Sequence, residues 1–67
     1  MEYTMRQIIG LWGKSYQEVG ELIGRNKDSI GNRMNNSRLW TLYEVKLIVE
    51  QVRKDTGLDI TVNDIRL

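Results

Sequence analysis

The sequence predicts a small all-α domain, four helices followed by a short terminal turn, and three observations carry that prediction. Apolar residues recur at helical spacing in four successive segments. A Ser, Thr or Asn stands at the head of each segment, where its side chain can take an otherwise unsatisfied backbone N–H, and a Gly closes three of them. With 67 residues and no Cys, the chain has one small core and no disulfide to staple it.

Thr4 is placed to cap a first helix that buries Met5, Ile8, Ile9 and Trp12. Gly10 sits inside it at a cost of about 1 kcal/mol relative to Ala, which suggests close packing, and Gly13 ends it. Ser15 caps the second helix, with Glu18 completing a capping box and Val19, Leu22 and Ile23 on one face. Gly24 stops that helix. After Arg25, Asn26 caps a third helix over residues 27–35, with Ile30 and Met34 inward and Lys27, Asp28, Gly31 and Asn32 elsewhere. Residues 35–38 then form a polar turn.

Thr41 and Glu44 make another capping box, opening a fourth helix. Trp40 and Val45 occupy the two positions of a hydrophobic staple, and Leu42, Val45, Ile48, Val49 and Val52 make the buried stripe. Lys46/Glu50 and Glu50/Lys54 are spaced as i,i+4 ion pairs. Gly57 closes this helix and Leu58 is the apolar residue expected just beyond it. In the tail, Ile60 and Val62 alternate like a strand, while Thr61 and Asp64 match the cap of one helical turn. The turn is favoured, since a lone strand finds no obvious partner in the chain; a strand paired across a dimer is the alternative. The apolar tail residues Ile60, Val62, Ile65 and Leu67 serve either as a lid on the core or as a homodimer contact.

Composition narrows the function. With neither His nor Cys, the usual zinc ligands, the commonest general base and the thiolate nucleophile are all missing. The carboxylates are scattered, and the glycines match no phosphate-binding loop. An enzyme is not expected, nor is any cofactor or metal. No apolar run approaches the roughly 18 residues that span a bilayer, so a soluble, cytoplasmic protein with no membrane partner is expected. The net charge of +1 is unevenly spread. Residues 25–46 hold five basic and two acidic residues, against five and seven in the remainder.

Two short helices joined at Gly24-Arg25-Asn26 read as a helix-turn-helix, whose second helix commonly enters a DNA major groove. Lys27, Asp28, Gly31, Asn32 and Asn35 lie on its N-terminal half and outer face. Asn32 is suited to adenine N6/N7, and Lys27 to guanine acceptors or a phosphate. Arg25, Asn26, Ser29 and Arg38 are further candidates, mainly for phosphates, as are Tyr16 and Gln17 at the start of the preceding helix.

The run from Tyr16 to Asn35, YQEVGELIGRNKDSIGNRMN, resembles the helix-turn-helix of the Cro and repressor type from temperate phages. That family places a small residue in the first motif helix, a Gly at the turn and an aliphatic residue six further on, positions held here by Gly20, Gly24 and Ile30. Arg38, Trp40, Thr41, Leu42 and Glu44 resemble the family's stretch after the motif, where an aromatic precedes a capped helix. The likeness spans residues 5 to about 65. It implies a four- to five-helix, lambda-repressor-like DNA-binding fold and a transcriptional regulator binding double-stranded operator DNA in the lytic–lysogenic switch, in the cytoplasm of a bacterial host. Family members commonly dimerise on paired half-sites.

The chain also departs from the pattern. Tyr16 stands where the family usually has Gln, with Gln17 one place later, and Gly20 replaces the usual Ala. Gly31 offers no side chain to a base, and Asp28 places negative charge where phosphates approach unless it accepts from cytosine N4. These features suit an alternative: a modulator or antirepressor that binds the phage repressor protein and masks its DNA surface. Asp28 and Glu21 would then pair with basic residues of that partner.

Overall fold

The computed structural model describes residues 2–66, in which four α-helices follow one another with connections of three to six residues between them. They are α1 (Met5–Trp12), α2 (Tyr16–Ile23), α3 (Lys27–Asn35) and α4 (Leu42–Thr56). Each begins where a capping side chain was expected. Thr4, Ser15 and Thr41 form complete capping boxes with Gln7, Glu18 and Glu44, and Asn26 Oδ1 accepts the Ser29 N–H at 2.8 Å. Gly13, Gly24 and Gly57 end α1, α2 and α4 with φ of 74–76°, a left-handed conformation that costs a glycine little.

The four helices enclose one core. Met5, Ile8 and Ile9 of α1, Val19 of α2, Ile30 of α3 and Val45, Ile48, Val49 and Val52 of α4 are buried together, joined by Trp40 and Ile60. α2 packs on α3, and α1 and α2 on α4. Trp40 and Val45 are both buried, as the staple requires. Trp12 is only half-buried, because its indole Nε1–H reaches out to Asp55 Oδ2 at 2.8 Å.

Three sequence expectations need correction. Leu42 is not part of the buried stripe but 60% exposed. As the first residue of α4 it covers the turn before its own Cα, beyond the edge of the core. Gly10 is not a close-packing site: it is exposed, and an added Cβ would meet nothing within 4 Å. Among the described residues, neither Lys46/Glu50 nor Glu50/Lys54 closes to an ion pair, consistent with how little such solvated pairs contribute.

The tail combines both expected forms. Val62–Asp64 is a single 3₁₀ turn, with Asp64 Oδ2 accepting the Thr61 N–H at 2.9 Å. A strand follows it after all: β2 (Ile65–Arg66) pairs in parallel with β1 (Tyr3–Thr4), Tyr3 opposite Ile65. Its partner lies within the chain, in the two residues before α1, too short a stretch to carry a period-2 signal. Ile60 is buried, while Val62 and Ile65 pack against the core, so these residues close the domain as a lid; Leu67 lies outside the described residues.

Candidate nucleic-acid interface

α3 meets the rest of the domain through Ile30, Arg33 and Met34, which fixes what is left for its outer face. Lys27, Asp28, Asn32 and Asn35 are exposed there, and Gly31 is half-buried between them. Tyr16, at the start of α2, reaches the same face: its ring edge comes within 4.0 Å of where a Gly31 Cβ would stand. Tyr16 remains 41% exposed, and Gln17 beside it is exposed, its amide only 3.5 Å from Glu21 Oε1. Gly31 thus has space for a side chain, and its lack of one leaves the Tyr16 ring and the middle of α3 as one continuous surface.

The turn between α2 and α3 is held by backbone. Arg25 N–H donates to Gly20 O at 2.8 Å, and the Arg25 carbonyl lies so close to Gly20 that an added Cβ would collide with it. The small residue at position 20 is therefore a steric requirement, and it demands Gly where Ala would not fit without movement.

Several candidate residues have structural partners that limit their reach. Asn26 Oδ1 is occupied as the cap of α3. Ser29 is half-buried and its hydroxyl accepts from Arg33 Nη1. Arg25 Nε donates to Glu44 Oε2 at 3.1 Å, although half of its side chain stays exposed. Arg38 follows α3 in a 3₁₀ turn (Ser37–Leu39), its backbone N–H on Asn36 Oδ1 at 3.2 Å and its side chain exposed.

Two further residues govern this face through a pairing across eleven residues that the sequence does not announce. Arg33, counted above only as positive charge, is buried, with Nε on Glu44 Oε1 at 3.1 Å and Nη2 on Glu44 Oε2 at 3.2 Å. Its guanidinium carbon lies 5.9 Å from the centre of the Trp40 ring, within cation–π range. Glu44 is more than the capping residue expected: it accepts from Arg33, Arg25 and the Thr41 N–H at once. Burial pushes the Glu44 carboxyl up, but the hydrogen bonds from Arg33, Thr41 and Arg25 outweigh burial and hold it below the usual 4.5. At the other end of α3, Arg6 Nη2 approaches the Met34 carbonyl at 3.4 Å, a cation where the helix dipole is negative.

The charge concentrated in residues 25–46 is therefore only partly presented outward. Arg33 is internal and Arg25 is half committed to Glu44, while Lys27 and Arg38 stand exposed beside the α3 face, opposed by Asp28. Among the described residues no group of His, Cys, Asp and Glu is placed to hold a metal. No helix there is long and apolar enough to cross a membrane. No family model, curated protein or solved structure matches the chain.

Proposed function

We propose that this domain is a transcriptional regulator that binds double-stranded DNA, with α2 and α3 acting as a helix-turn-helix and the outer face of α3 directed into the major groove. The observation that carries the reading is the composition of that face. A nine-residue helix keeps Lys27, Asn32 and Asn35 in solvent on one side, with Tyr16 alongside and Arg38 just past its end. Long polar side chains of this kind on an exposed helix match the donors and acceptors of base edges and phosphates. The likeness of residues 16–35 to the Cro and repressor type supports an operator in the lytic–lysogenic switch of a temperate phage as the target.

The test is selection of bound sequences from a random duplex library, followed by mobility shift on the enriched sequence at several salt concentrations. The reading expects a defined enriched site and binding that weakens steeply with salt. Retention of no duplex at low salt would contradict it.

One observation favours the second reading, a modulator acting on a repressor protein. Leu39, Leu42 and Tyr43, just after α3, are 45%, 60% and 69% exposed. Large apolar side chains close together in the chain and open to water suit a protein partner better than DNA. Repeating the mobility shift with the cognate repressor added separates the two: a modulator removes the repressor band and leaves free operator, whereas an operator-binding protein replaces that band with one of its own or leaves the repressor bound.

A further inference from the structure

Two guanidinium groups converge on the single buried carboxylate of Glu44, and only one is needed to neutralise it. Arg33 is held on every side: its Nε and Nη2 lie on Glu44, its Nη1 on the Ser29 carbonyl and hydroxyl, and only 11% of its side chain is exposed. Arg25 is held at two points only. Its backbone N–H is bound to α2 through Gly20, its Nε to α4 through Glu44, and its side chain is 50% exposed. Neither Nη1 nor Nη2 of Arg25 has a hydrogen-bond partner among the described residues. The result is a cation fixed by backbone and by Nε in the turn that leads into α3, with its outer N–H groups in solvent.

We propose that Glu44, which lies on α4 and outside the α3 face, is the positioning residue for Arg25, ordering its guanidinium so that the two Nη groups meet a backbone phosphate without first losing rotamer freedom. The inference rests on the DNA reading above. Chemistry explains the residue type. A guanidinium can give its Nε–H to a carboxylate and still present two further nitrogens to a phosphate, whereas a lysine ammonium would serve one partner at the expense of the other. Preorganisation of this kind strengthens binding by lowering the ordering cost, with no new contact.

The experiment compares wild type with Arg25→Lys, Arg25→Gln and Glu44→Gln, by fluorescence anisotropy on a random-sequence duplex over a range of salt. Arg25→Lys keeps the charge and leaves the Arg33–Glu44 pair intact, so folding does not limit it. It loses roughly tenfold in affinity, nearly as much as Arg25→Gln. Arg25→Gln also lowers the salt slope by about one unit. Glu44→Gln weakens binding in the wild-type background and has little further effect in the Arg25→Gln background, a coupling that loss of stability alone does not produce. If Arg25→Lys binds like wild type, Arg25 is only a mobile charge and the positioning role is overturned. The same follows if Glu44→Gln, in protein shown by circular dichroism to be folded, costs as much without Arg25 as with it. A wild-type protein with no salt-sensitive binding removes the DNA reading itself, and this inference with it.

Discussion

Arg33 on α3 and Glu44 on α4 form a two-point ion pair inside the domain, Nε to Oε1 at 3.1 Å and Nη2 to Oε2 at 3.2 Å, with the Glu44 side chain only 3% exposed. This pair ties the outer helix to the longest helix of the core through charge rather than through apolar contact alone. Buried pairs add little over a hydrophobic replacement, yet losing one partner strands the other. Glu44→Gln should therefore cost about 3–5 kcal/mol in urea unfolding. A cost under about 1 kcal/mol, the range of a surface pair, would show that water reaches the site.

Acid should act through the same carboxylate. The folded Glu44 carboxyl lies below its ordinary value of 4.5, so the folded state binds its proton less readily than the unfolded chain does. Its contribution is complete above about 4.5 and is lost as pH falls through the lower folded value. Glu18 and Asp55 are depressed as well, Glu18 by the Ser15 backbone N–H and hydroxyl, Asp55 by the Trp12 indole and Gln51. Stability measured by urea unfolding should thus fall steadily below pH 4.5, and the fall should be shallower in Glu44→Gln. Equal slopes in both proteins would assign acid sensitivity to other groups.

Two glycines inside helices should respond to Ala with opposite signs. At Gly10, exposed and clear of neighbours, Ala should stabilise by up to about 1 kcal/mol through helix propensity. At Gly20 the added methyl meets the Arg25 carbonyl, and overpacking of about 1–3 kcal/mol should outweigh the propensity gain. Thermal unfolding of the two variants decides it, and a stabilised Gly20→Ala would mean that the α2–α3 turn yields easily.

The tail should matter to folding through one residue above all. Ile60 is 2% exposed in the core cluster, whereas Val62 is only partly buried. Ile60→Ala should cost about 2–5 kcal/mol, and Val62→Ala distinctly less, by the same unfolding assay. Similar small costs would show that the tail is dispensable to the core.

What could be read from the chain was what is encoded locally. The helix limits follow from caps and glycines a few residues apart, and the inward positions of α1, α2 and α4 follow from period, with Leu42 failing because periodicity does not show where the core ends. Contacts between distant residues were illegible. Nothing near Arg33 announces Glu44 eleven residues later, although its place three after Ile30, on the inward side of α3, was a usable hint. Tyr3–Thr4 gave no sign of pairing with Ile65–Arg66. In the candidate site, the exposed positions on α3 were legible from the helix geometry. The Asn26 cap was legible too, being three residues from Ser29, whereas the tie of Arg25 to Glu44 spans 19 residues and the Ser29–Arg33 contact, four residues apart, follows from Arg33 turning inward to Glu44.

In the proposed function, duplex DNA binds the face made by α3, the start of α2 and the turn after α3. Amide chemical-shift mapping during titration with the library-selected duplex tests it most directly. The largest changes should fall at Tyr16, Gln17, residues 25–32, Asn35 and Arg38, and should be lost on raising the salt or on replacing Lys27 and Arg38 with Ala. Changes centred instead on Leu42 and Tyr43, or no changes at low salt, would contradict it.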